Sequence, residues 1–255
     1  MTPLSFAVFF LIATCVQSRL FSHSSQFLRL ASGQPQSEPG SEPKLKCNNP
    51  TLLADCVNAF LKDIGYTGGL KNESAFDKFL ENKLKDNMSA GLPTICNHIE
   101  TAKKCASGLD LDSCITEIGF QAAFPHLDSK DVTSWALQFR TAGVICQPGN
   151  MQLYIQQWKC IKDVFDAPDR SDKMDKCLGG KPTSECDRVT KLAYCFGEVV
   201  SSCGAAAQQL ECQLETAACM VREEFHYCDY YCSGAKVLVT SVMTFCLALL
   251  VAFTH

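Results

Sequence analysis

The sequence has few of the residues that carry catalysis or contact nucleic acid. Only 5 of its 255 residues are histidines, and none lies in an H-E-x-x-H motif. It has no G-x-S-x-G elbow, phosphate-binding glycine loop or dinucleotide fingerprint. Its 23 basic residues are outnumbered by 27 acidic ones, which disfavours a nucleic-acid partner. We therefore predict no catalytic residue, no cofactor, no enzymatic activity and no nucleic-acid binding.

The sequence also lacks the alternating runs of β-branched residues that are typical of strands. Between clusters of glycine and proline, apolar residues instead recur at helical spacing, as they do at Phe76, Phe79, Leu80 and Leu84. Asn49-Pro50 and Ser184 with Asp187 are typical of helix starts. The sequence therefore predicts an all-α fold.

Cysteine is abundant, with 17 in the chain. Cys15 and Cys246 lie in the two apolar terminal segments. Such a density persists only where thiols oxidise, so we predict disulfides and an extracellular location. A metal site formed by His226 with two of the nearby cysteines is disfavoured for the same reason, and we predict none. The disulfide candidates are Cys47, Cys56, Cys96, Cys105, Cys114, Cys146, Cys160, Cys177, Cys186, Cys195, Cys203, Cys212, Cys219, Cys228 and Cys232.

Many of these cysteines are nine residues apart, as at Cys96, Cys105 and Cys114. Nine residues make about 2.5 turns of an α-helix, which places the two sulfurs on opposite faces. A pair with this spacing cannot bond to itself within one helix. We therefore predict a stack of short antiparallel helices that disulfides staple together on both sides.

Two further predictions concern the last helix and the odd number of candidate cysteines. Cys212 and Cys219 share a helix face, as would Cys228 and Cys232, so the last helix is predicted to be stapled to one neighbour at two levels. Fifteen candidates leave one thiol over. Three explanations are open. The thiol pairs with a second chain in a disulfide-linked dimer, it stays buried and free, or the predicted boundary of the tail is misplaced.

The first segments of the chain are predicted to be a signal peptide and a leader. Residues 4–16 form a short apolar run, and the small residues Val16 and Ser18 occupy the −3 and −1 positions of a cleavage site after Ser18. This pattern predicts a secretory signal peptide over residues 1–18. A retained signal anchor is less favoured because the run is too short to span a bilayer. Residues 19–46 are rich in proline, glycine and polar residues near their end, which predicts a flexible leader.

The last segment, residues 233–255, is predicted to hold the protein at a membrane. Ser233-Gly234-Ala235 precedes an apolar tail that ends the chain. This arrangement favours glycolipid attachment at Ser233. A single-pass helix is the alternative, although the apolar run is marginal and no basic stop follows it. Both place the protein on the extracellular face of the plasma membrane.

The cysteine-rich region is predicted to contain two similar modules, residues 47–145 and 146–232. The intervals after Cys96 resemble those after Cys195, and the sequence after Cys56 resembles that after Cys160. Intervals shared by chance remain the alternative. Two glycosylation sequons begin at Asn72 and Asn87 and flank a predicted helix.

The spacing Cys96-x8-Cys105-x8-Cys114 and the interval Cys146-x13-Cys160 before a cysteine-rich helical tail carry a resemblance. On these intervals the region from 47 to 232 resembles the secreted cysteine-rich helical domains of unknown function expanded in nematodes and other invertebrates. A fainter likeness is to the glycolipid-anchored co-receptors of glial factors, which implies a secreted protein ligand. That family's adjacent-cysteine pattern is missing, so no site residue carries over.

These features together predict a membrane-tethered extracellular binding or adhesion module with an unidentified extracellular protein ligand. Two alternatives remain open at this point. One is a structural coat or matrix protein that is crosslinked through the odd cysteine. The other is a carrier or enzyme with a pocket among its helices.

Overall fold

A computed structural model describes residues 47–71, 73–84, 87–180, 182–226, 228–230 and 232. Over these ranges the chain forms ten α-helices and no strand, which confirms the all-α prediction. The signal peptide, the leader, Asn72 and the anchor segment lie outside them. The helices are α1 (Pro50–Asp63), α2 (Glu73–Leu84), α3 (Met88–Cys105), α4 (Leu111–Cys114), α5 (Glu117–Ala123), α6 (Ser129–Ile145), α7 (Pro148–Asp166), α8 (Arg170–Leu178), α9 (Glu185–Val199) and α10 (Ala205–Cys219), with 3-10 turns at Ser201–Cys203 and Glu223–Phe225.

Two helices begin where the capping residues predict. The Asn49 side chain accepts a hydrogen bond from the Leu52 amide at 3.1 Å, and Pro50 occupies the first turn of α1. Ser184 accepts from the Asp187 amide at 3.0 Å at the start of α9. The Asp187 carboxylate accepts from the Thr183 amide at 2.8 Å, one residue before the partner of a standard capping box.

Among the described residues, seven disulfides hold the helices together, and none of them joins two cysteines of one helix. This confirms the prediction of a stapled helical fold, in which cysteines nine residues apart bond to different partners. The bonds are Cys47–Cys114, Cys56–Cys105, Cys96–Cys146, Cys160–Cys203, Cys177–Cys195, Cys186–Cys228 and Cys212–Cys232.

The predicted double staple of the last helix is wrong. Cys212 bonds to Cys232, but Cys219 is a free, buried thiol. The reason is the path of the chain after α10, which turns through Glu223–Phe225 and is not helical where it is described from 228 to 232. Cys228 therefore reaches back to Cys186 on α9.

The main core draws side chains from the first seven helices and from α10. Phe120, Val132 and Trp135 have no exposed surface, and the Trp135 indole donates to the Leu70 carbonyl at 2.7 Å. Trp135 therefore lies entirely within the core. Leu210 of α10 belongs to the same cluster, and the division into two modules stays a prediction.

Two smaller clusters complete the interior. One joins the C-terminal half of α7 to the end of α9 and the start of α10. The other surrounds the Cys186–Cys228 disulfide and contains Val189, Cys219 and Phe225. Within the described part of the chain, no helix is long and apolar enough to cross a membrane.

Candidate functional site

A cleft of about 180 Å³ lies among α1, α3, α4 and α6, and we call it the α1–α6 cleft. Its walls are mainly apolar and include three charged side chains. The lining residues are Leu53, Cys56, Val57, Ile99, Ala102, Lys103, Ala106, Leu111, Asp112, Ile115, Phe139, Arg140 and Gly143.

The walls of the cleft are fixed by a disulfide and by one arginine. The bond between Cys56 and Cys105 ties α1 to the end of α3. Arg140 of α6 donates from Nε to the Ile115 carbonyl at 2.9 Å and from Nη2 to the Asp112 carbonyl at 2.6 Å. Its Nη1 donates to the Asp112 carboxylate at 3.1 Å. These links hold the opening in place without a ligand.

The two cationic side chains of the cleft are more buried than the carboxylates that pair with them. The Arg140 side chain is 10% exposed, whereas its partner Asp112 is 85% exposed. Burial lowers the pKa of the Arg140 guanidinium, and the charge of Asp112 opposes that effect. Lys103 is half-buried at the rim and pairs with the exposed Glu100 at 2.7 Å.

Gly143 leaves one wall of the cleft bare. It lies inside α6, and a Cβ placed there would meet nothing within 4 Å. At Gly197 on α9, in contrast, a Cβ would lie 2.6 Å from the Gln208 carbonyl oxygen. Glycine inside a helix costs about 1 kcal/mol relative to alanine. At Gly143 no neighbouring atom is close enough to exclude a side chain, so packing does not require a glycine there.

A second feature is a buried face of α10 formed by Glu211, Glu215 and Cys219, the buried acidic face. These residues are four apart, so they lie on successive turns of one side of the helix. Their exposed fractions are only 6%, 3% and 9%. One carboxylate oxygen of Glu215 has no hydrogen-bond partner.

Burial controls the protonation of this face. It raises the pKa of Glu211 to about 8 and that of Glu215 to about 8, with Glu211 adding to the effect at Glu215. Burial, with a further contribution from Glu215, raises the pKa of the Cys219 thiol to about 12. At neutral pH the two carboxyls and the thiol are therefore mostly protonated and uncharged.

The predicted site residues have different outcomes. Of the fifteen disulfide candidates, only Cys219 is unpaired, which corrects its assignment. Asn87 is exposed and caps α3, accepting from the Ala90 amide at 3.0 Å through Oδ1. A sugar attaches through Nδ2, so glycosylation is compatible with this cap. Asn72 and Ser233 lie outside the described residues.

The cysteines considered as metal ligands are engaged elsewhere. Cys228 and Cys232 bond to Cys186 and Cys212, and the His226 ring hydrogen-bonds to the Met220 carbonyl. Across the described ranges, no group of three or more metal-binding side chains is present.

Sequence reasoning missed the cleft and the buried acidic face. The cleft combines side chains of four helices between Leu53 and Gly143, and their packing is not visible in the sequence. The acidic face had a detectable signal, because Glu211 and Glu215 share helical spacing with Cys219 and alternate with Leu210 and Leu214.

No protein-family model, curated protein or solved structure matches this chain.

Proposed function

We propose that this protein is a membrane-tethered extracellular binding module without enzymatic activity. The observation that carries the proposal is the set of seven disulfides within an all-helical fold. Such a framework is consistent with an extracellular or secreted protein, because reducing compartments keep thiols reduced. The tether rests on the sequence of residues 233–255, and the sequons at Asn72 and Asn87 are compatible with the same location.

The stapled scaffold supports binding as the activity. Three disulfides lie within residues 47–146 and four within residues 160–232. The first set includes Cys56–Cys105 in the wall of the α1–α6 cleft, so the cleft is held in place before a ligand arrives. A preorganised surface loses little conformational entropy on binding. The expected ligand on this proposal is an extracellular molecule, and a protein ligand remains the expectation from the sequence.

The burial of Cys219 weighs against a coat or matrix protein crosslinked through its odd cysteine. Its thiol lies inside the cluster around Cys186–Cys228. A bond to a second chain would require that cluster to open. An unpaired cysteine that serves as a crosslink is expected at the surface instead.

Surface display of the full chain tests the proposal. An epitope inserted in the leader, residues 19–46, should be stained by antibody on intact cells of a eukaryotic host. Phosphatidylinositol-specific phospholipase C should release the chain, and non-reducing gels should show a monomer. Beads carrying the released chain should bind saturably to cells of the organism that produces it.

Several outcomes would contradict the proposal. Staining only after permeabilisation would place the chain inside the cell. A ladder of disulfide-linked oligomers would favour the matrix protein. Turnover of a defined substrate that a single substitution abolishes would establish an enzyme.

A further inference from the structure

We propose that the α1–α6 cleft binds a small apolar molecule that carries one anionic group, such as a medium-chain carboxylate. The apolar part would lie against α1, α3 and α6, and the anionic group would face Lys103 and Arg140. This inference deepens the proposed binding function by naming a class of ligand and the place where it binds.

The size of the cleft sets the size of the ligand. An engineered protein cavity of about 150 Å³ binds benzene. The α1–α6 cleft has about 180 Å³, and it is open on one side. It therefore accommodates an apolar group of about six to ten heavy atoms.

The walls give the ligand its apolar character. Leu53 and Val57 of α1 face the cleft together with Ile99 of α3 and Phe139 of α6. Each CH₂ group of an alkyl chain that leaves water for such a surface adds favourable free energy to binding.

The charges select an anionic group over a cationic one. Guanidinium has five N–H donors, and the three contacts of Arg140 with Ile115 and Asp112 leave two of them. The desolvated positive charge of Arg140 and the half-buried Lys103 would repel an ammonium group. Asp112 and Glu100 pair with these cations, and Asp110 also acts on the charge of Arg140, but all three carboxylates are exposed to solvent.

Gly143 marks a place where a large side chain would enter the cleft. It lines the cleft, and a Cβ at this position would meet nothing within 4 Å. A small side chain therefore fits there, whereas a large one would project into the space proposed for the ligand.

The test uses membranes that carry the full chain and a photoreactive octanoate with a diazirine and an alkyne handle. Labelling should be saturable and should map to peptides that contain Val57, Ala102 or Phe139. Unlabelled octanoate should protect against labelling. Octanol should protect about tenfold less well and octylamine still less, because neither replaces the charge-assisted contacts.

Two substitutions at Gly143 form a matched pair. Gly143→Trp should fill the cleft and reduce labelling more than about tenfold, since overlap with the ligand removes its site. Gly143→Ala adds one methyl group and should retain labelling. Both variants report folding through their level at the cell surface.

Lys103→Gln tests the charge separately from the volume of the cleft. The ion pair of Lys103 with Glu100 is at the surface, so its loss should affect stability little. Protection by octanoate should weaken about threefold to tenfold. Protection by octanol should not change.

The labelled peptides of the unsubstituted chain test the proposed binding site even if Gly143→Trp fails to reach the cell surface. Labels on other helices, or equal protection by octanoate and octanol, would overturn the proposal. Labelling of a chain that is not displayed outside the cell would contradict the proposed function and leave the cleft proposal intact. Surface display without saturable labelling would do the reverse.

Discussion

The two buried glutamates of α10 make stability depend on pH. In the unfolded chain a glutamate loses its proton near pH 4.3, whereas Glu211 and Glu215 keep theirs until about pH 8. Between these values the folded state binds more protons than the unfolded state. The free energy of unfolding therefore falls as the pH rises through this window.

We predict that Glu211→Gln and Glu215→Gln reduce this fall, because glutamine resembles a protonated glutamate and does not ionise. With both residues replaced, stability at pH 8 should rise by several kcal/mol relative to the original chain. Denaturant unfolding between pH 5 and pH 8 measures the slope, and the exposed Glu100→Gln serves as the control. An unchanged slope in the double variant would show that these carboxyls are not the source.

Cys219 should be unreactive in the folded protein. Its thiol is buried and its pKa is raised to about 12, so little thiolate exists at neutral pH. We predict that iodoacetamide modifies it only after denaturation, and that Cys219→Ala leaves the chain monomeric on non-reducing gels. Rapid alkylation under native conditions would contradict this burial and revive the crosslinking hypothesis.

Helices α9 and α10 approach closely at Gly197. A Cβ there would lie 2.6 Å from the Gln208 carbonyl oxygen and 3.2 Å from the Cys212 Cβ. We predict that Gly197→Ala destabilises the protein by about 1–3 kcal/mol, because the helices must separate. Gly143→Ala should instead stabilise it by about 0.5–1 kcal/mol.

Denaturant unfolding with the disulfides intact, followed by far-ultraviolet circular dichroism, compares the two glycine variants. Opposite signs are expected although both substitutions add one methyl group to a helix. Equal effects at the two positions would mean that helix propensity, and not packing between α9 and α10, controls the response.

At the level of helices, local patterns predicted what local physics determines. Asn49 and Ser184 cap helices because their side chains reach amides only three residues away. Helix geometry also places cysteines nine residues apart on opposite faces, which excluded a bond between them within one helix. That Cys219 is the unpaired cysteine was not predictable, since it depends on how the chain turns after α10 and on which cysteine Cys228 reaches.

At the scale of the molecule, the fold class followed from the sequence but the cleft did not. Periodicity and cysteine density require only short-range regularity, and both indicated stapled helices. The cleft forms only where Val57, Ile99 and Arg140, which belong to three different helices, come together in the folded chain. The exact shape of the cleft depends on long-range contacts that no spacing in the sequence encodes. The open space beside Gly143 is visible only once those contacts are known.

The number of free thiols in the mature chain tests the predicted processing of both ends. Cleavage after Ser18 would remove Cys15, and glycolipid attachment at Ser233 would remove the tail with Cys246. The seven disulfides then leave Cys219 as the single thiol. A retained single-pass helix would keep Cys246 and give two thiols.

We predict one thiol per chain when the surface protein is denatured without reduction and titrated with a chromogenic disulfide. Cys219→Ala should lower the count to zero, because the remaining fourteen cysteines of the mature ectodomain are paired. Two thiols, falling to one in that variant, would show that one terminal segment is retained, and a peptide map would tell Cys246 of a single-pass helix from Cys15 of a signal anchor. A count of zero in the unsubstituted chain would mean that Cys219 is oxidised, which its burial beside Glu215 and its protonated state both oppose.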